Sequence, residues 1–120
     1  QWVNAGSVGV PLEGVGGVAV YALAGEDPSE PEVSFREVPY PVETVIEALR
    51  ASGQTERAPG VTRAAILELR TGQHRMNGLI AFAKGYAKER LGRPVDAIPP
   101  ELWAQAERIW DGSPWTPDEA

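Results

Sequence analysis

The spacing of apolar residues changes once along this chain, at Pro41, and that change limits what it can fold into. Before it, apolar residues run together or alternate, as strands require; after it, they recur every three to four residues, as helices require. Val18-Ala19-Val20-Tyr21-Ala22-Leu23 is a nearly continuous apolar run and predicts a strand covered on both faces. Gly25 to Pro31 holds the residues of a turn, and Glu32 to Val38 alternates, with Val33, Phe35 and Glu37 on one face. Together they predict a hairpin. Its second strand is the less hydrophobic, so it lies nearer a sheet edge, ended by Pro39 and Pro41. Upstream, Trp2-Val3-Asn4 predicts a short strand entering the loop Ala5-Gly6-Ser7-Val8-Gly9. Pro11 to Gly17 is a Gly-rich connector, and Gly14 to Gly17 is read as a hairpin loop. No Gly-Lys-Ser/Thr follows it, so it is not a phosphate cradle.

From Pro41 onward, Val42, Val45, Ile46 and Leu49 form one helical stripe, with Pro41 suited to the first turn and Gly53 to the stop. Gln54 to Gly60 reads as a linker. A second helix follows, with Thr62 as N-cap, Ile66, Leu67 and Leu69 inside, and a close near Gly72. A third runs to about Leu91: Met76, Leu79, Ile80, Ala83, Tyr86 and Ala87 line one stripe, opposite Lys84, Lys88 and Glu89. Gly78 and Gly85, seven residues apart, predict close contact with another helix or a second copy of the chain. Pro99-Pro100 opens a fourth helix, in which Leu102, Trp103, Ala106, Ile109 and Trp110 share a face until Gly112 and Pro114.

The chain offers little chemistry of its own. It has no cysteine, which excludes thiolate catalysis, disulfides and zinc-thiolate or iron-sulfur sites, and His74 is the only histidine. No nucleophile or second histidine at helical spacing accompanies His74, so a surface or capping role is expected of it. Acidic residues lack the spacing of a calcium loop. We therefore expect no catalytic residue and no metal ligand in this segment. The net charge of −6 disfavours the phosphate backbone of nucleic acid as a main partner. Residues 54–98 are nevertheless basic, with eight Lys and Arg against four Asp and Glu. Arg63, Arg70, Arg75, Lys84, Lys88, Arg90 and Arg93 form either a local patch or a solvated helix face. No apolar run approaches a membrane span, and a soluble, cytoplasmic chain is expected.

The order of the segments carries a resemblance. Trp2-Val3-Asn4-Ala5-Gly6-Ser7-Val8-Gly9, then Val20-Tyr21-Ala22-Leu23, then Val33-Ser34-Phe35-Arg36-Glu37-Val38-Pro39-Tyr40 and Val42-Glu43 resemble the carboxy-terminal part of bacterial calcineurin-like metallophosphoesterases. The likeness covers residues 2–73 and stops near Gly72; Ala5 stands where the family usually has proline. It implies an α+β fold in which residues 1–73 supply strands and a hairpin from one half of a two-sheet sandwich. Residues 74–120 form a helical extension with no counterpart in the family. It further implies a parent protein that hydrolyses phosphoesters with two divalent metal ions, whose Asp-x-His, Gly-Asp-x-x-Asp, Gly-Asn-His and Gly-His-x-His ligand motifs are absent from this sequence.

Under that resemblance, Asn4, Gly6 and Ser7 lie beside the metal site. Asn4 would orient a ligand or loop through its amide, and Gly6 would allow close backbone approach. The alternative is that Asn4 and Ser7 only satisfy backbone groups of a turn. Trp103, Trp110 and Trp115 are candidate interface residues, although Trp103 and Trp110 share the apolar stripe and are expected to pack on the third helix. The expected partners are an amino-terminal half of the same protein, since the chain begins as if inside a strand, and further copies of the chain. The competing reading is a non-enzymatic interaction or oligomerisation module with an exposed sheet edge and Trp-bearing helices.

Overall fold

The computed structural model describes residues 3–7, 14–27, 29 and 32–114. Within them the chain is α+β: strands β1 (Val18–Ala24) and β2 (Val33–Pro39), then helices α1 (Val42–Ala51), α2 (Gln54–Arg57), α3 (Pro59–Thr71), α4 (Met76–Leu91) and α5 (Pro100–Ile109). β1 and β2 pair antiparallel, from Val18 opposite Pro39 to Ala24 opposite Val33. The Tyr40 N–H donates to the Gly17 carbonyl at 3.1 Å and the Gly25 N–H to the Glu32 carbonyl at 2.7 Å, extending that register at both ends. Odd-numbered β1 residues therefore bond toward β2, and even-numbered ones turn their backbone groups to the opposite edge. On that edge the Val20 N–H donates to the Ser7 carbonyl at 3.0 Å.

Val3 and Asn4 are not in a strand, contrary to the pattern-based expectation. The Asn4 side chain bends the segment instead, its Oδ1 accepting from the Gly6 N–H at 3.0 Å, and Gly6 takes a φ of 88° that favours glycine. Nor are the hairpin faces covered by helices among the described residues. Strand packs on strand and helix on helix, which leaves Leu23 49% and Phe35 56% exposed on opposite faces, with Tyr21 and Val38 exposed as well.

Three further local expectations change. The stretch after Gly53 contains α2, one turn of helix. Thr62 is no N-cap, because α3 starts earlier, at Pro59, whose ring presets the helical φ at the first position. The Gly14–Gly17 segment is not the hairpin's loop but a clasp on the C-terminus of α3. There the Gly14 N–H donates to the Gly72 carbonyl at 2.8 Å and the Gly17 N–H to the Leu69 carbonyl at 3.2 Å. The last carbonyls of a helix lack intrahelical partners, so the clasp supplies donors they need. It demands glycine, since a Cβ on Gly16 would fall 2.0 Å from the Arg70 carbonyl oxygen.

The helical core is built on Ala64, Leu79 and Trp110, with Val61, Leu67, Met76, Phe82 and Trp103 packed around them. Residues on both sides of position 73 thus share one core. Two buried carboxylates tie the helices together. Glu107 of α5 accepts from the Gly60 N–H at 3.1 Å in the first turn of α3. Glu68 of α3 accepts from the Arg75 and Met76 N–H groups, both at 2.8 Å, where α4 begins. Neither helix has a side-chain cap at its own N-cap residue; each first turn borrows a carboxylate from a neighbour, where the helix dipole favours negative charge. Of the glycine pair in α4, Gly78 is buried, whereas a Cβ on Gly85 would meet nothing within 4 Å.

Candidate functional site

The turn at Asn4 to Ser7 sits on the open edge of β1. Asn4 Oδ1 is engaged by Gly6, and the Ser7 carbonyl by Val20. The Gly6 bond is the turn role weighed for Asn4, whereas the Ser7 bond is made by its backbone; the Asn4 NH2 group is left as two donors unused by the described residues. Among the described residues no three of His, Cys, Asp and Glu stand close enough to hold a metal ion, so these side chains do not fit the divalent pair that the resemblance implies. His74 is exposed and makes no hydrogen bond or ion pair with a described residue.

Trp110 is 1% exposed and belongs to the helical core, and Trp103 packs against that core partly buried. Trp115 lies outside the described residues. Since the ring of Trp110 is already enclosed within the chain, it presents no surface to a partner.

The basic residues are engaged in different ways. The Arg63 Nη1 donates to the Trp110 carbonyl at 2.5 Å and the Arg75 Nη1 to the Gly112 carbonyl at 2.6 Å, so both hold the chain leaving α5. Arg90 lies over the Tyr86 ring, 5.1 Å from its centre, and Lys84, Lys88 and Arg93 are exposed. Arg70 grips both oxygens of Glu43 at 2.9 and 2.8 Å. Those hydrogen bonds hold the Glu43 carboxyl below its ordinary range, with the charges of Arg70 and Arg50 adding to the effect.

The described residues line clefts on the helical body. One, of about 550 Å³, has Phe82, Gly85 and Tyr86 of α4, Ile109 and Ser113 on its walls. Another, of about 330 Å³, lies among α1, α2 and α3 and gathers Arg50, Arg63 and Arg70 with Thr55 and Thr62. Sequence reasoning missed this second cluster, because Arg50 belongs to an acidic stretch and Thr55 to a supposed linker. One signal was there to be read: Arg63 and Arg70 are seven residues apart, two helical turns, and so share a face of α3.

No helix among the described residues is long and apolar enough to cross a membrane. Compared with known proteins, the chain matches no family model, no curated protein and no solved structure.

Proposed function

We propose that this chain is the carboxy-terminal part of a metal-dependent phosphoesterase, contributing strands, an edge turn and a helical body that shapes substrate access or assembly. The observation that carries the reading is the hairpin. It has large apolar residues exposed on both faces, and one edge is already joined by Ser7. Two strands alone are marginal in water, whereas a sandwich would bury both faces and extend both edges. That is the place the resemblance over residues 2–73 assigns to it. In this reading the two divalent ions are held by residues outside the described ones, and no catalytic step is assigned to this chain. Its part is positional: the NH2 of Asn4, unused by the described residues and on a turn fixed by Gly6 and Ser7, is suited to orient a neighbouring ligand side chain.

The test compares the natural gene product with these 120 residues, using p-nitrophenyl phosphate and bis-p-nitrophenyl phosphate with and without Mn²⁺. Hydrolysis by the natural product that chelation abolishes, with none from the 120 residues, is expected. A natural product without metal-dependent hydrolysis would overturn the reading.

The exposed hairpin also favours a second reading, a non-enzymatic module that pairs with its own copies or another protein. Both readings make the isolated chain self-associate through the hairpin. They part at the natural product, where a phosphoesterase would enclose Leu23 and Phe35, so that Leu23→Ser and Phe35→Ser destabilise it. A module would keep them exposed, and the same changes would shift only its sedimentation coefficient.

A further inference from the structure

The cleft among α1, α2 and α3 is lined by three arginines: Arg50 from the last turn of α1, and Arg63 and Arg70 from one face of α3. Two are already oriented. Arg70 is fixed by Glu43 through Nε and Nη2, and Arg63 by the Trp110 carbonyl through Nη1. A guanidinium carries five N–H donors, so each is held in place with donors to spare. The Arg50 guanidinium makes no hydrogen bond or ion pair with any described residue. Glu43 is the one carboxylate in an ion pair with these arginines among the described residues, and the charge of Arg50 also acts on it.

Thr62 supplies a second, independent observation. It is 3% exposed, it lines the cleft, and its hydroxyl bonds to no described residue. The described polar atoms that are both occluded and unpaired are Tyr40 Oη, Arg75 Nε and Trp110 Nε1. The Thr62 hydroxyl is not one of them, so it is not fully occluded. An unmade hydrogen bond in so enclosed a place is unfavourable, and so is the mutual repulsion of the guanidiniums. An anion that accepts from both relieves the two costs together. The neighbouring wall is apolar, formed by Ile66 and Leu67.

We infer that this cleft is a binding site for a small organic phosphate: the arginines that line it supply positive charge for the anion, the Thr62 hydroxyl donates to it, and its organic part lies on Ile66 and Leu67. Guanidinium forks suit phosphate oxygens in pairs, and the volume stands at the small end of ligand sites. The inference does not rest on the phosphoesterase reading, because none of these residues belongs to the Asn4–Ser7 turn or to a metal-ligand motif.

The experiment titrates ¹⁵N-labelled protein with phenyl phosphate, with phenol and inorganic phosphate as parallel probes. Saturable shifts centred on the Thr55 and Thr62 amides are expected, weakened roughly tenfold by Arg50→Gln. That exposed substitution should leave the far-UV circular dichroism spectrum unchanged. Inorganic phosphate should move the same resonances at several-fold higher concentration, and phenol should not move them. No saturation, shifts centred elsewhere, or indifference to Arg50→Gln would overturn the site. Equal binding of phenol would overturn the anionic recognition, and equal binding of inorganic phosphate the organic class.

Discussion

Glu68→Ala is the substitution that probes the helical body most sharply. Glu68 is 6% exposed, and one of its oxygens accepts two backbone N–H bonds at 2.8 Å in the turn that starts α4. Hydrogen bonds to a charged group contribute about 1.5–3 kcal/mol each, and a carboxylate at a helix N-terminus adds a few tenths to about 2. The two donors are only partly enclosed, so water recovers some of the loss, and a net cost of about 3 kcal/mol is expected. For a domain of roughly 100 residues that lowers Tm by roughly 12–20 °C. Glu68→Gln keeps an acceptor in place but loses the charge, and should cost about 1 kcal/mol. Urea denaturation followed at 222 nm measures both. Glu68→Ala within about 1 kcal/mol of the parent, or Glu68→Gln as damaging as Glu68→Ala, would refute the view that α4 is capped from α3.

Other consequences are open to the same treatment. Gly16→Ala places a Cβ against the Arg70 carbonyl, so hydrogen-exchange protection of the Gly14 and Gly17 amides should fall while the α4 amides stay protected; unchanged protection would contradict the clasp. Trp110→Ala should cost about 3–5 kcal/mol and Trp103→Ala less, since only the first ring is fully enclosed; denaturant midpoints decide the order. The Glu43 carboxyl titrates below its ordinary 4.5 because Arg70 hydrogen-bonds it. Its contribution is therefore complete above that value and is lost as pH falls through the lowered folded-state value. The Tm difference between parent and Glu43→Gln should be flat between roughly pH 6 and 8 and shrink below 4.5; a difference that grows on acidification would reverse the assignment.

Where side-chain period and local punctuation agree, the sequence is easy to read. The hairpin, α1, α4 and α5 fall close to where Val18 to Val38, Val42 to Gly53, Met76 to Leu91 and Pro100 to Trp110 place them. Gly53, Gly72 and Gly92 take the left-handed conformation at helix ends that only glycine adopts freely. The losses are of another kind. A single turn such as α2 is too short to show a period. Glu68 and Glu107 look like ordinary surface carboxylates, because a capping box is recognised three residues away, not on another helix. Nothing local to Gly14 announces the clasp, since the carbonyls it serves, at Leu69 and Gly72, lie far along the chain. The cleft stayed hidden for a similar reason: Arg50 and Thr62 meet only after α1 folds onto α3. The apolar run of β1 predicts cover on both faces because continuous apolar strands usually have it; no helix among the described residues supplies it.

The central claim is that this hairpin completes a larger sheet bearing a metal site. The intact mass of the natural gene product, measured beside that of the 120-residue chain, tests it most directly. The account predicts a product much larger than 12.9 kDa, with additional sequence ahead of Gln1 that carries the His- and Asp-rich ligand motifs. A natural product that begins at Gln1, or a longer one without those motifs, would contradict it.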